Sequence, residues 1–363
     1  MAYQNKISTS LSAKYRSFHL LDQLLGREKG KAFTKNSRRR FYNSLQSFLA
    51  EKGQGQVIPL ERRKNLSDDE FKNKYVKHGI PVVLEGAASD WDCVKKWSLD
   101  YFQDLHGNDE VLLADQIKIE NDYEVITLNE IIEGIKQGNG KYYRFYPLLE
   151  RHPEHLADFD YKWLRSKRNS NSYIEAFQVF IGGDKTITPI HNANLCNLFT
   201  QVVGEKKWVL YHPEFTPIID PHPVKGQYRN APYKRDSGPF NPFNPDFNDP
   251  YSLFKYIDGY SVQLNPGDVL WNPPYHWHAV ENIGNSIGVG YRWFSPSYCY
   301  KLHPYYSFLD TIATNPTIWK FLNIIKKDGN LIYLMETGKL QEYLKSKKKL
   351  NDNTKNDLIP KKV

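Results

Sequence analysis

The chain is poor in cysteine and has no long apolar run. Its 363 residues include three cysteines, Cys93, Cys196 and Cys299, which are odd in number and lie far apart. They provide neither a disulfide framework nor a zinc site built from paired cysteines. No uncharged apolar stretch is long enough to span a membrane, and the first residues lead into no apolar signal-peptide region. The sequence therefore predicts a cytoplasmic protein without a membrane partner.

The excess of positive charge is concentrated at the C-terminal end. The formal net charge is +8, and residues 345–363 contain seven lysines and two aspartates, a local charge of +5. A lysine-rich polar tail is typical of a solvated, disordered end, and contact with nucleic acid or an anionic surface is the alternative. Because the rest of the chain is close to neutral, no nucleic-acid-binding domain is predicted.

Composition and apolar spacing divide the chain into four segments. Residues 1–56 are polar, and the apolar series within residues 41–49 predicts an amphipathic helix, so a helical extension is expected there. Residues 57–300 are expected to form the main domain, whose core of strands lies between about residues 172 and 296. Residues 301–344 have a helical pattern, and the basic tail follows.

Short strands separated by turns dominate the main domain. Their spacing is typical of a jelly-roll or barrel, so the predicted fold class is α+β with a mainly β core. Residues 197–203 and 206–211 flank Gly204 and predict a β-hairpin. Before these strands, Ser67 and Thr127 each open a capping sequence that predicts the start of a helix.

Two histidine-containing segments predict a metal site. They are Thr188-Pro189-Ile190-His191-Asn192-Ala193 and Pro273-Pro274-Tyr275-His276-Trp277-His278. A non-haem iron site commonly takes two histidines and one Asp or Glu, whereas two distant histidines alone are more often structural or exposed. Alternate residues of a strand point to the same side, so residue 193 shares the face of His191. Ala193 therefore stands where the carboxylate is expected.

Further motifs surround these segments. In chain order, the motifs are residues 80–86 with Trp91, 145–149, 188–191, 197–199 with Gln201, 204–208, and 267–270 followed by 278–282. Together they resemble the JmjC, cupin-like family of iron(II)- and 2-oxoglutarate-dependent oxygenases, and most closely its asparaginyl-hydroxylase-like members. The resemblance implies a double-stranded β-helix, which is the jelly-roll of cupins, with flanking N- and C-terminal helices.

The resemblance also implies a set of ligand residues. His191 and His278 are expected to ligate iron, and Lys206 to pair with the distal carboxylate of 2-oxoglutarate. Thr188 would donate a hydroxyl to the same carboxylate, because charge-assisted hydrogen bonds suit such a group. Asn197 matches a residue near the co-substrate.

Other residues have less certain assignments within the same site. Tyr143 is a further candidate for contact with the co-substrate. Strand alternation places Lys206 on the face of Trp208, while a solvent-facing lysine is the alternative for Lys206. His276 is an extra ligand, a substrate contact or a packed ring, and the last two are favoured because His278 fills the ligand position. Trp208 and Asn194 are candidates for substrate contact or for support of the metal ligands.

The alanine at position 193 leaves three hypotheses open. In the first, the protein is a dioxygenase that hydroxylates its substrate, and Asn192, Asn194, water or a distant carboxylate completes the iron site. Asn194 or water is favoured, because strand alternation points Asn192 away. In the second, chloride occupies the position and the protein is a radical halogenase. In the third, the protein is a non-catalytic binding module.

The substrate and partners are less constrained by the sequence. A peptide, a protein or a small molecule is expected as substrate. The irregular insertion at residues 213–258 is rich in aromatic and basic side chains, which either line a substrate site or pack the loop onto the core. The C-terminal helices either form a homodimer face or cover the barrel.

Overall fold

A computed structural model describes most of the chain up to residue 312. The described residues are 6–114, 123–139, 142–146, 148–169, 171–172, 175–223, 228–232 and 238–312. The predicted basic tail, most of the predicted C-terminal helical segment and therefore most of the predicted dimer face lie outside these residues.

Helices flank a core of strands. The α-helices are α1 (Thr9–Leu25), α2 (Arg27–Lys52), α3 (Asp68–Glu70), α4 (Asp92–Lys96), α5 (Leu99–His106), α6 (Leu128–Lys136), α7 (Leu148–Arg151), α8 (Tyr161–Ser166), α9 (Thr216–Ile219), α10 (Pro296–Leu302) and α11 (Pro304–Thr311). A π-helical segment spans Phe71–Val76, and 3-10 helices span Pro153–Asp158, Pro213–Phe215 and Ser252–Tyr256.

The strands are concentrated in the second half of the described chain. They are β1 (Val57–Pro59), β2 (Arg62–Arg63), β3 (Val82–Leu84), β4 (Glu110–Ala114), β5 (Tyr123–Thr127), β6 (Tyr142–Tyr146), β7 (Glu175–Gly182), β8 (Ile187–Ala193), β9 (Cys196–Tyr211), β10 (Tyr228–Asn230), β11 (Gly259–Leu264), β12 (Val269–Asn272) and β13 (Trp277–Trp293). The α+β class with a mainly β core is thus confirmed.

Side-chain caps define several helix starts. The Thr127 hydroxyl accepts a hydrogen bond from the Glu130 amide at 3.2 Å, and the Glu130 carboxylate accepts one from the Thr127 amide at 2.6 Å. This is the predicted capping box, in which two backbone donors that lack helical partners are satisfied reciprocally. Ser67 caps α3 by accepting a hydrogen bond from the Glu70 amide at 3.2 Å, whereas the Glu70 carboxylate bonds to Arg63 instead of closing a capping box. The predicted amphipathic helix is α2. The helix before it, α1, was not predicted from the apolar spacing.

The predicted hairpin around Gly204 is wrong. Residues on its two sides belong to one strand, β9, which pairs with β13 on both sides of the bend. Gly204 has a φ of +64°, and a Cβ there would collide with the carbonyl oxygen of Asn285 on β13. A glycine in the left-handed region normally indicates a turn, but here it bends a long strand while the partner strand bends beside it.

Eleven strands form one mixed sheet. Its main path is β10-β8-β13-β9-β12-β3-β2, with β1 and β11 joined through β9, and β6 and β7 joined through β13. Strands β4 and β5 form a separate pair. Within the described residues the path does not close into a ring. The long strands β9 and β13 therefore organise the sheet, because they pair with each other and also with β7, β8, β11 and β12.

The two faces of the sheet have different partners. One face meets the inner cluster, which includes Phe180, Phe199 and Trp208, and the opposite face packs on the helices between α4 and α8. The N-terminal helices cover a third cluster that contains Phe41 and Trp277. No helix among the described residues is long and apolar enough to cross a lipid bilayer.

Candidate active site

The two predicted histidine ligands lie next to each other across a strand pair. His191 on β8 is directly opposite His278 on β13, and their ring centroids are 4.2 Å apart with an interplanar angle of 54°. His278 is buried, whereas His191 is partly exposed. Trp208 on β9 stacks on the His278 ring at 5.3 Å and limits its rotation. The sheet therefore brings together two residues that are distant in the sequence.

Backbone hydrogen bonds define which ring nitrogen is available on each histidine. The Nδ1–H of His191 donates to the carbonyl oxygen of Pro189 at 2.9 Å, and the Nδ1–H of His278 donates to that of His276 at 2.9 Å. In this tautomer Nε2 carries the lone pair of each ring, which is the arrangement that metal-binding histidines need. Burial, together with the charges of His191 and Arg292, lowers the pKa of His278 well below its usual value. The imidazole is therefore neutral and available for a metal at neutral pH.

A β-bulge brings Thr188 to the same side as the histidines. Strict alternation would place Thr188 and His191 on opposite faces, because three positions separate them. The register, however, pairs His278 with His191 and Val280 with Thr188, so β8 has one extra residue between the two rungs. A bulge of this kind changes the direction in which the following side chains point. No pattern in the sequence indicates this bulge.

Lys206 is a fully buried cation near these residues. Its Nζ donates a hydrogen bond to the Oδ1 of Asn282, which lies opposite Lys206 in the strand pair. Asn282 in turn donates from Nδ2 to the Thr186 hydroxyl at 2.8 Å. The neighbouring Lys207 is exposed. The structure therefore gives Lys206 the inward direction expected from alternation with Trp208.

Ala193 lines a small polar cavity beside His278. The cavity is lined by Ala193, Leu195, Asn197, Asn272, Pro273, His276, His278 and Arg292. Both amide atoms of Asn197, the Oδ1 of Asn272 and both ring nitrogens of His276 are buried without a hydrogen-bond partner among the described residues. Leaving buried polar atoms unpaired costs about 1–3 kcal/mol each, so such a set indicates a site that binds a polar ligand or water.

Arg292 is the residue that the sequence analysis missed. It is buried, it lies opposite Asn197 in the β9–β13 pair, and its guanidinium lies 5.8 Å from the Phe180 ring centroid. A Cβ at Gly290 would be 3.2 Å from the Arg292 Nε, so the glycine leaves room for the guanidinium. Alternation from Gly288 through Gly290 to Arg292 could have placed this arginine on the inner face.

Among the described residues, no Asp, Glu, His or Cys lies close enough to His191 and His278 to act with them as a third metal ligand. The one group of three such residues within ligand reach, among those described, is His106, His152 and Glu154, which excludes both His191 and His278. A distant carboxylate that completes the site is therefore not seen. Asn194 does not line the cavity, and its Nδ2 donates to Asp310 on α11 at 3.1 Å.

Two other predicted residues have clear positions. His276 is fully buried and lines the cavity, and its ring contacts His212 edge-on at 5.5 Å. Burial, followed by the charges of His212 and His303, lowers the pKa of His276 well below its usual value. Tyr143 lies opposite Ile181 and belongs to a different core cluster from Trp208. The structure thus places His276 beside Ala193 and places Tyr143 in the core cluster that packs on the helices, while a contact of Tyr143 with the co-substrate stays a prediction.

The described part of the insertion packs largely on itself and on the sheet. Phe240 contacts Phe254 at 4.4 Å and Tyr251 at 5.6 Å between ring centroids. Arg229 is buried and forms an ion pair with Asp310 on α11. These residues favour the packing interpretation of the loop, while residues 233–237 of this aromatic and basic insertion lie outside the described residues.

Comparison with known proteins identifies the family. Residues 68–300 match the cupin-like domain family, which is more than half of the chain. The chain belongs to this family, and the expected cupin-like fold and JmjC-like relationship are confirmed. The match lies within residues 57–300, whose exact boundaries as a domain stay a prediction.

Curated relatives narrow the class further. The chain is 28% identical over 234 residues to lysine-specific demethylase 8 of Xenopus tropicalis, with 62% of this chain and 50% of that protein covered. It is 24% identical over 254 residues to lysine-specific demethylase JMJ30 of Arabidopsis thaliana, with coverages of 64% and 54%. It is also 24% identical over 286 residues to human tRNA wybutosine-synthesizing protein 5, with coverages of 72% and 86%. The chain spans about half the length of the demethylases it matches.

These relationships support oxygenase chemistry at the level of the family. Iron(II) and 2-oxoglutarate are the typical cofactors of JmjC-like proteins, and an enzyme of this general type is consistent with the adjacent histidine pair. Two imidazoles whose Nδ1 atoms bond to backbone carbonyls and a buried lysine fit such cofactors. The alanine at position 193 is the one departure from the expected ligand set.

Proposed function

We propose that the chain is an iron(II)- and 2-oxoglutarate-dependent oxygenase that hydroxylates a C–H bond of its substrate. The observation that carries this proposal is the pair of histidines, His191 and His278, whose Nδ1 atoms are engaged by backbone carbonyls. Their two Nε2 atoms would hold the metal. When bound, iron(II) and 2-oxoglutarate supply the activation of oxygen that removes a hydrogen atom from an unactivated carbon.

Lys206 and Thr188 would anchor the distal carboxylate of 2-oxoglutarate. Lys206 is completely buried, so its ammonium interacts with an anion in a medium of low dielectric constant. Asn282 holds the ammonium from one side, and Thr188 lies one rung nearer the histidines, opposite Val280. This separation suits a co-substrate with one carboxylate near the metal and another deeper in the sheet. Trp208 would keep water from the His278 face through its stacked ring.

The cavity at Ala193 would take water or a small anion in place of a protein carboxylate. Imidazole ligands carry no charge, so the charges of iron(II) and of the 2-oxoglutarate dianion would cancel. The Arg292 guanidinium nearby makes the surroundings more positive. Asn197, Asn272 and His276 supply polar atoms at the same place. Asn194 is the poorer candidate, because its amide nitrogen is engaged by Asp310.

Halogenation is the second candidate function, and Arg292 is the observation that favours it. A chloride ion bound at Ala193 would be stabilised by the nearby cation and would restore one negative charge to the metal site. The test is chloride dependence. A reaction product heavier by 34 mass units, formed in chloride but not in a chloride-free buffer, would support halogenation over hydroxylation, which adds 16 mass units.

A peptide or protein is the proposed substrate class, by analogy with the relatives named as lysine-specific demethylases. A small molecule is the alternative, and the name of the third relative adds a tRNA nucleotide to the substrates worth testing. A homodimer through the C-terminal helices and a cytoplasmic location stay predictions.

Oxygen-dependent conversion of 2-oxoglutarate to succinate tests the proposed activity. The purified chain is incubated with iron(II), oxygen and 2-oxoglutarate, with and without a peptide library, and succinate is measured by mass spectrometry. We expect turnover that is lost in His278→Ala and kept in Lys207→Met, a change at an exposed position on the other face of β9. If the chain binds neither iron nor 2-oxoglutarate and forms no succinate, the non-catalytic binding module is the better explanation.

A further inference from the structure

A second group of histidines and carboxylates lies outside the candidate active site. His106 ends α5, while His152, Glu154 and His155 lie on the turn after α7 and on the 3-10 helix Pro153–Asp158. None of these elements contributes a residue to the cavity at Ala193. His106, His152 and Glu154 each offer one possible ligand atom, and these three atoms lie within 4.8 Å of one another.

A buried chain of hydrogen bonds defines the tautomer of His106. The carboxylate of Asp158 accepts from the Nε1–H of Trp97 at 2.9 Å and from the Nδ1–H of His155 at 2.8 Å. The Nε2 of His155 is then an acceptor, and it receives the Nε2–H of His106 at 2.8 Å. His106 is therefore left with its lone pair on Nδ1.

A second carboxylate defines the tautomer of His152. The Oδ2 of Asp109 accepts from the Nε2–H of His152 at 3.0 Å and from the Tyr146 hydroxyl at 2.8 Å. The lone pair of His152 is consequently on Nδ1, which lies 3.8 Å from the Oε1 of Glu154. Metal-binding histidines characteristically donate their remote N–H to a carboxylate or a similar acceptor, and both rings here do so, directly or through His155.

From this arrangement we infer a second metal site, which binds a divalent transition ion of the zinc class through His106, His152 and Glu154. Two imidazoles and a carboxylate are a common ligand set for zinc, and water would complete a tetrahedron. The carboxylates of Asp109 and Asp158 lie behind the two rings and orient them, although Arg151 and Lys96 also pair with these carboxylates.

Binding requires a small rearrangement of His152. The His106 and His152 rings are stacked, with centroids 3.6 Å apart and planes at 21°, whereas the lone pairs lie in the ring planes. One ring must therefore turn before both nitrogens reach the same ion. His152 is the ring with freedom to do so, because its side chain is 22% exposed while His106 is buried. The bound ion would connect the end of α5 to the turn after α7.

Zinc titration in a variant without the active-site ligands tests this inference. In a His191→Ala/His278→Ala background, zinc affinity is measured by competition with a chromophoric chelator, and folding is checked by circular dichroism. We expect one equivalent of zinc, and an affinity at least about 10-fold lower after Glu154→Gln or His152→Phe. Phenylalanine keeps the aromatic stack but removes the ligand, and Glu51→Gln at an exposed position of α2 is the matched control.

Two outcomes would overturn the inference. One is a background variant that is folded but binds no zinc, and the other is an unchanged affinity after Glu154→Gln. Glu154 is exposed, with 65% of its side chain accessible, so this substitution is not expected to affect folding. If the double-alanine background does not fold, the unmodified chain provides the same test, because Glu154→Gln should then weaken the binding of one zinc equivalent at least about 10-fold and leave any other unchanged.

Discussion

Replacing Lys206 by methionine should weaken co-substrate binding without unfolding the protein. The Lys206 ammonium is fully buried, and methionine fills a similar volume without a charge. A hydrogen bond to a charged group contributes about 1.5–3 kcal/mol, so its loss should raise the Kd for 2-oxoglutarate by about 10- to 150-fold. This range covers only the contact of the distal carboxylate with Lys206. The proposed hydrogen bond from Thr188 to the same carboxylate would remain in the variant.

The effect of the same substitution on stability should be small. Removal of a buried charge eliminates a desolvation cost of several kcal/mol, which favours the variant. The Oδ1 of Asn282 loses the ammonium as donor, which costs about 1–3 kcal/mol and opposes that gain. We therefore expect the free energy of unfolding to change far less than the free energy of binding 2-oxoglutarate.

Anaerobic titration with 2-oxoglutarate in the presence of iron(II), followed by calorimetry, measures the predicted loss. Lys207→Met is the matched control, because Lys207 is the exposed neighbour on the same strand. This variant should bind 2-oxoglutarate with the same Kd as the unmodified chain. A Kd for Lys206→Met that stays within about threefold of the unmodified chain would refute the role of Lys206.

Three other predictions concern the metal site, the packing around Lys206 and the response to acid. Ala193→Asp should raise iron(II) affinity at least about 10-fold in chelator competition by adding a third ligand, and no change would place residue 193 away from the metal. Gly288→Ala should lower the Tm and weaken 2-oxoglutarate binding, because a Cβ there collides with Phe199 and comes within 3.2 Å of the Lys206 Cε; an unchanged Kd would contradict this. Burial, followed by the charge of Arg229, lowers the pKa of His19 from 6.5 to about 3. The unfolded chain therefore binds a proton first as the pH falls below 6.5, and stability is lost from there towards pH 3. His19→Leu should reduce the loss between pH 7 and pH 5 in urea unfolding by about 2 kcal/mol, and an equal loss in both proteins would contradict the burial of a neutral ring.

Local signals in the sequence predicted the helices and strands better than their connections. Thr127 caps its helix as expected, because the capping hydrogen bonds involve residues only three apart. The turn signal at Gly204 was misleading, since a strand bend and a hairpin both need a glycine with positive φ. The bend is decided by β13, which is distant in the sequence and pairs with both halves of β9.

The residues of the candidate site were predictable where strand alternation or a family motif determines the direction in which a side chain points. Lys206 points inward and Lys207 outward as alternation requires. Thr188 needed the bulge in β8, which no short-range pattern indicates. The interaction of Asn194 with Asp310 also escaped prediction, because the partner is on a helix 116 residues further along the chain.

Arg292 matters most among the residues that the sequence did not reveal. It brings a positive charge to the cavity at Ala193, where the expected family member would have a negative one. Because Arg292 and Ala193 line the same cavity, we propose that water or a small anion takes the place of the missing carboxylate.

Anaerobic spectroscopy tests most directly whether His191 and His278 hold iron(II) together with 2-oxoglutarate. Addition of both to the unmodified chain should produce a weak visible charge-transfer band that saturates at about one iron per chain. His278→Ala should abolish the band, and Lys206→Met should shift its dependence on 2-oxoglutarate to higher concentration. A folded protein that shows no band and retains no iron at saturating 2-oxoglutarate would contradict the proposed metal site.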